Sequence, residues 1–312
     1  MSFGATTMAM TDTREMRMRG LRSRIIGTAA LVGFVAAAPV MAGEPSPPSR
    51  TYKLTQGRDT RLLLAASVNG TSVVALLDSA AETTILDRNF AARLKLGRGT
   101  AVSGQGSGQS SFEASIVEGV TLAAVGLRLP NQTVAVADLS DVSSRLVGHR
   151  LDVILGREIF DAARLRVDIA RGSIAVVSAT SAPTGVRLEL RTEHGIETLP
   201  ARVEDGETVA ATFDLGNGSL ALLGAGFAAR AHLLTDGRQV GSESGGGLGG
   251  AATRQVVTLR SLEVAGRRFT DVPAAVDPRP SASDLNLGVS ILRHFVITTD
   301  FGQHAIWLEP RD

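Results

Sequence analysis

The chain has no cysteine, one tryptophan and one tyrosine in 312 residues. Without cysteine there is no disulfide and no cysteine for lipid attachment, so stability must come from a hydrophobic core. With 44% hydrophobic residues and few aromatics, that core is built from Val, Leu, Ile and Ala. A charge of one sign is also missing: 32 Lys and Arg stand against 31 Asp and Glu. Such a balance offers no basic face for nucleic acid. The five histidines, His149, His194, His232, His294 and His304, show no metal-binding spacing. There is no G-x-S-x-G elbow. The glycines from Gly245 to Gly250 fit G-x-G-x-x-G, but no helix or βαβ unit follows them, so they do not read as a dinucleotide site. No metal and no cofactor are expected.

Long apolar runs are lacking too. The longest, Ile25 to Val40, holds 16 residues rich in Ala and Gly, where a membrane span needs roughly 20. Arg14, Arg17, Arg19, Arg22 and Arg24 precede it, and Val40-Met41-Ala42 follows with small residues at a cleavage site. That order predicts a secretory signal peptide over 1–42; a membrane anchor is the alternative. Cleavage would leave 270 residues, and removing five arginines and two acids would take the net charge from +1 to −2. Residues 43–59 read as a lead-in segment, with Glu44 to Arg50, EPSPPSR, its flexible part. The expectation is an exported protein, periplasmic or secreted, with no membrane partner after cleavage.

What the chain does contain, it contains twice. Asn69-Gly70 is followed by TSVVALL and then Asp78-Ser79-Ala80-Ala81. Asp205-Gly206 is followed by ETVAATF and then Asp214-Leu215-Gly216-Asn217. Further on come FAAR at Phe90 to Arg93 and again at Phe227 to Arg230. Glycine-rich stretches follow, Gly104 to Ser111 and Gly241 to Gly250, and then hairpins around Gly126 and Gly266. Each half closes on Leu-Gly and a later aspartate: Leu155-Gly156 with Asp168, Leu287-Gly288 with Asp300. An ordered series of this kind implies two lobes related by a pseudo-twofold.

Short β segments with Gly, Asn and Asp turns dominate. Helical signal is confined to the FAAR segments, where Asp87 is placed to cap and Gly97 to end a helix, and to the turn after each Leu-Gly. The fold class is therefore all-β and two-lobed. The lobes are expected at 60–178 and 186–312, with a linker at 179–185.

Asp78-Ser79-Ala80-Ala81 at the end of an apolar strand resembles the Asp-Thr/Ser-Gly motif of the retropepsin-like and pepsin-like aspartic proteases. Ile154-Leu155-Gly156 and Leu287-Gly288 resemble that family's hydrophobic-hydrophobic-Gly element. The segment LNLGVSILRHFVITTDFGQHAIWLEP is similar to the closing segment of bacterial retropepsin-like proteases. The resemblance spans residues 60 to 310 and implies an acid-protease fold with both halves in one chain, hence a monomer. It implies catalysis by Asp78 and Asp214, with Ser79, Ala80, Gly216, Gly156 and Gly288 in support. It implies peptide or unfolded-protein substrates and glycine-rich flaps, with Gly104, Gly106 and Gly108 in one and Gly245 and Gly247 in the other. Plain flexible loops are the alternative for the flaps.

The chain departs from the family pattern at three places. Ala80 replaces the first-lobe Gly, Leu215 replaces the second-lobe Thr or Ser and has no hydroxyl for the crosslobe bond, and Asn217 replaces a small residue. Asp214 is then either a catalyst or a solvated turn residue. Two functions stay open: an exported aspartic endopeptidase, or a weak or inactive peptide-binding relative. Asp168 and Asp300 read as hairpin-turn or interface residues, and Arg164 and Arg293 as surface residues.

Overall fold

The computed structural model describes residues 50–57 and 60–311. The expected signal peptide and its cleavage site lie outside the described residues. The fold is all-β and two-lobed, with short helices only. Among the described residues, no helix is long and apolar enough to cross a membrane.

The repeat is a repeat of strand pairing. In the first lobe, Thr71–Leu77 runs parallel to Val153–Leu155, with Leu77 beside Leu155. In the second, Thr208–Phe213 runs parallel to Leu285–Leu287, with Phe213 beside Leu287. The strands end alike: the Asp78 N–H donates to the Leu155 carbonyl (3.0 Å), and the Asp214 N–H to the Leu287 carbonyl (3.1 Å). The ψ-shaped crossing is completed by Ile85–Asp87 against Leu127–Ala137, and by Ala221–Gly224 against Arg267–Asp277. Both aspartates thus leave the middle of a sheet at the same point of the same motif.

Turn chemistry explains most of the hairpins. Asn69 and Gly70 both have positive φ (48° and 81°), the type I′ geometry that matches strand twist. Val125-Gly126 and Ala265-Gly266 repeat it. The dipeptide Asp205-Gly206 turns differently: positive φ falls on Glu204 (55°), and the Gly206 N–H closes on the Val203 carbonyl. Asp87 caps the helix Arg88–Arg93 by accepting from the Asn89 and Phe90 N–H groups. That helix is capped at Leu94, short of Gly97. Two short helical turns, Ser140–Val142 and Ser143–Val147, have no counterpart in the second lobe, so the repeat does not predict them.

A six-stranded antiparallel sheet joins the lobes. Its order is Thr51–Gln56, Ser173–Val176, Leu165–Asp168, Phe295–Asp300, Ala305–Pro310 and Val186–Glu189. The order is palindromic about the central pair, where Val167 stands beside Ile297. The outermost first-lobe strand, Thr51–Gln56, lies in the stretch read from sequence as lead-in. Its alternating burial and its pairing with both Ser173–Val176 and Leu62–Val68 fix it there.

The core continues from one lobe into the other. Phe160 of the first lobe stacks on Phe301 of the second (centroids 5.2 Å), and Phe213 meets Phe301 edge-on. Phe213 directly precedes Asp214, so the second catalytic candidate is anchored on this aromatic cluster. Asp168 and Asp300 sit at the interlobe sheet. Asp300 accepts from Nε (3.0 Å) and Nη2 (2.8 Å) of Arg164, and Asp168 pairs with Arg311. Arg164 is therefore buried rather than on the surface, because its guanidinium serves a carboxylate of the opposite lobe. Arg293 is exposed.

Candidate active site

Asp78 and Asp214 line one cavity of about 120 Å³ between the lobes. The local backbone brings them there. Gly216 lies between the two carboxyls: its N–H donates to Asp214 Oδ1 (2.9 Å), and a Cβ on it would collide with the Asp78 carboxyl. Only glycine permits that approach. The Ala80 N–H donates to Asp78 Oδ1 (2.9 Å), the matching contact in the first lobe.

Gly156 and Gly288 lie beneath these loops. The N–H groups of the residues that follow them repeat one contact: Arg157 donates to the Ala81 carbonyl (3.1 Å), Val289 to the Asn217 carbonyl (2.8 Å). A Cβ on Gly156 would strike the backbone of Thr83 and Thr84, and one on Gly288 would strike Asn217.

Ser79 ties the loops together. Its hydroxyl, buried at 2% exposure, donates to the Phe213 carbonyl (2.8 Å) and accepts from the Leu215 N–H (2.9 Å). A backbone N–H makes that second bond, so the missing hydroxyl at 215 does not unfasten it. The Leu215 side chain is fully buried in the main core. Leu215 thus substitutes packing for the second crosslobe bond.

The second-lobe departures form a network of their own. Asn286 Nδ2 donates to Asp214 Oδ2 (2.7 Å), and the Asn217 N–H donates to Asp214 Oδ1 (2.9 Å). Asn217 Nδ2 donates to Asn286 Oδ1 (2.9 Å) and to the Leu220 carbonyl. Asp214 therefore accepts three hydrogen bonds, which stabilise its ionised form. In the first lobe the position paired like Asn286 is Ile154, which supplies no donor. Asn286 was missed from sequence; the signal was a polar residue inside an apolar three-residue strand.

Electrostatics follow from this asymmetry. Burial pushes the Asp78 pKa up to about 7, and the negative charge of Asp214 adds to it. The Ala80 and Ala81 N–H groups and the Arg61 charge oppose the rise. Burial raises Asp214 as well, against the pull of Asn286, Asn217, Gly216 and Arg61. Both carboxyls are thus shifted upward, and Asp214 has the larger set of donors to its ionised form. Arg61, buried and lining the cavity, was also missed: it lies outside the repeat.

The glycine-rich stretches are the turns and strands of two hairpins. Thr100–Gln105 pairs with Ser111–Ala124, and Gly241–Gly247 with Gly250–Val264. Gly104, Gly106, Gly108, Gly245 and Gly247 fall in these hairpins or at their tips. The tips meet: the Gly108 N–H donates to the Leu248 carbonyl (2.8 Å) and the Ser110 N–H to the Gly249 carbonyl (3.0 Å). Ser107 and Gly246, one from each hairpin, border the same cavity as the aspartates.

No curated protein matches the chain. The family profile described as aspartyl protease matches residues 64–159 and again 199–291, more than half of the chain and once in each lobe. Its two matches each contain one aspartate of the pair and one of the Leu-Gly elements. The chain belongs to the aspartyl protease family, with two tandem retropepsin-like lobes.

Proposed function

We propose that the protein is an exported aspartic endopeptidase whose dyad is Asp78 and Asp214. The observation that carries this reading is the unequal pair. Two carboxyls border one cavity, and their donors differ: Asp214 accepts three hydrogen bonds that favour its ionised form, while Asp78 has no counterpart of Asn286 and its pKa is pushed up to about 7. In this reading Asp214 is the base that takes a proton from water as the water attacks the peptide carbonyl. Asp78 is the acid that gives its proton to the carbonyl oxygen. Ser79, Ala80 and Gly216 hold the two loops in register, and Gly156 and Gly288 support them from below. The flaps close over an extended peptide and exclude water. The pair titrates as a unit, so its apparent pKa values belong to both groups.

Activity then requires Asp78 protonated and Asp214 ionised. Cleavage should fall as pH rises through about 7, where Asp78 loses its proton. Arg61→Gln removes a positive charge that lowers both pKa values. The alkaline limb of the pH–rate profile is expected to move to higher pH in that variant. A limb that stays in place would separate Arg61 from the dyad.

A peptide-binding relative without cleavage is the second reading, favoured by the apolar Leu215. Incubating wild-type protein with an unfolded protein from acidic to neutral pH, with a pepstatin-type inhibitor as control, distinguishes the two. Peptide binding without any cleavage would select the second. Export predicts a mature N-terminus near Gly43, read by N-terminal sequencing of periplasmic or secreted material. Intact Ile25 to Val40 in the membrane fraction would overturn it.

A further inference from the structure

The two flaps close over unlike walls. On the first-lobe side the ladder pair nearest the flap is Ala114 opposite Ala137. Both belong to an apolar cluster with Ile85, Leu139, Val142 and Leu146, and Leu248 from the tip of the opposite flap packs against it. On the second-lobe side the last paired residues are Gln255 and Val276. The residues next to them toward the flap are Arg254 and Asp277, with Nη2 and Oδ2 3.8 Å apart. Arginine and aspartate stand where the first lobe has two alanines.

The hydrogen bonds of this second wall are unevenly shared. Asp277 is engaged by Arg279 through Nε (3.0 and 3.1 Å) and Nη2 (2.6 Å). One carboxylate therefore serves two guanidinium groups. Glu243 lies across the flap ladder from Arg254 but makes no ion pair with it among the described residues. Arg145 approaches from the first lobe and is already bound to Asp141 and to the carbonyls of Gly245 and Gly247.

Arg254 is 3% exposed. Its Nη2 donates to the Ser107 carbonyl of the opposite flap (2.9 Å), while its buried Nε has no acceptor among the described residues. A buried cation with an unspent donor is costly unless an anion completes it. Arg254, Asp277 and Arg279 line the same cavity as Asp78 and Asp214.

We propose that the second-lobe side of the cleft is a subsite for an acidic side chain, Asp or Glu, of the bound peptide, received by Arg254 and Arg279, while the first-lobe side takes an apolar residue where Leu248 now packs. A guanidinium fork suits a carboxylate better than an amide of the same shape. The inference rests on the reading that this cleft receives an extended peptide.

Two measurements test it separately from catalysis. In the first, an Asp78→Asn protein is titrated with two peptide pools that differ only in Glu against Gln. The Glu pool should bind about tenfold tighter, the order expected of a charge-assisted hydrogen bond. Arg254→Met should remove that preference. Arg279→Met should reduce it, and this serves as the second variant if Arg254→Met does not fold. Equal binding of the two pools, or a preference that survives in both variants, overturns the subsite. In the second, wild-type protein digests a mixed peptide library, and cut positions are read by mass spectrometry. Acidic residues should concentrate on one side of the cut and apolar residues on the other. Cleavage without acidic enrichment overturns the subsite and leaves proteolysis standing. A Glu preference in binding with no cleavage keeps the subsite and overturns proteolysis.

Discussion

Asp78→Asn and Asp214→Asn are each expected to lower peptide cleavage at least about 10³-fold, near the upper part of what acid–base catalysis contributes. Neither carboxyl has a substitute. In the proposed mechanism Asp214 is the ionised member, favoured by the donors Gly216, Asn217 and Asn286. Asp78 lacks an equivalent of Asn286, and in the same mechanism it holds the proton. Asparagine keeps the shape but can neither accept the water's proton nor supply one. Unchanged cleavage in Asp214→Asn would make Asp214 a turn residue and dismiss the dyad.

The same variants carry a signature in stability that does not depend on substrate. The Asp78 pKa rises from 3.8 in the unfolded reference to about 7 in the folded protein. A carboxyl shifted upward contributes stability below its unfolded pKa and loses it as pH climbs through the folded value. Wild-type protein should thus lose stability between about pH 4 and 7 from this group. Asp78→Asn should flatten that slope and be more stable than wild type at pH 8, where the buried carboxyl must ionise. Denaturant midpoints across pH read the difference directly.

Arg164→Ala is expected to have the largest effect on folding, a loss of about 3–5 kcal/mol, the usual result of stranding one partner of a buried ion pair. Arg164 and Asp300 side chains are 5% and 12% exposed and come from opposite lobes. Removing the guanidinium takes two donors from the Asp300 carboxylate at the interlobe sheet and leaves it only the Gln303 N–H. It also frees the carbonyls of Ser178 and Ser181 in the connection between lobes, and vacates the face of Trp307, 5.2 Å away. The double change Arg164→Met with Asp300→Asn should recover much of the loss, because no buried charge then remains unpaired. A denaturant midpoint for Arg164→Ala equal to wild type would show that the pair does not fasten the lobes.

What the sequence made legible was whatever depends on spacing. The positions of Asp78 and Asp214 at matched strand ends, and of Gly156 and Gly288, follow from turns and apolar runs that repeat. What stayed hidden depends on direction or on the backbone. Leu215 looked like a lost crosslobe bond, yet the bond to Ser79 uses its N–H, which every residue but proline has. Arg164 looked like a surface residue because its partner is 136 positions away. Asn286 occupies the place of Ile154, and only the folded register shows that its amide reaches Asp214. Arg61 and the strand Thr51–Gln56 precede Asn69-Gly70, the first landmark of the sequence repeat, so those landmarks could not place them.

The palindromic sheet also sets an order of events for a chain made from one end. Leu165–Asp168 closes the first lobe's own pairing with Ser173–Val176, but its other edge belongs to Phe295–Asp300. During synthesis that edge stays open until well over a hundred further residues have left the ribosome. An unpaired apolar edge is a template for wrong partners, and two chains with half-made sheets could exchange these strands. Strand exchange between two half-folded copies is therefore the misassembly that this topology favours.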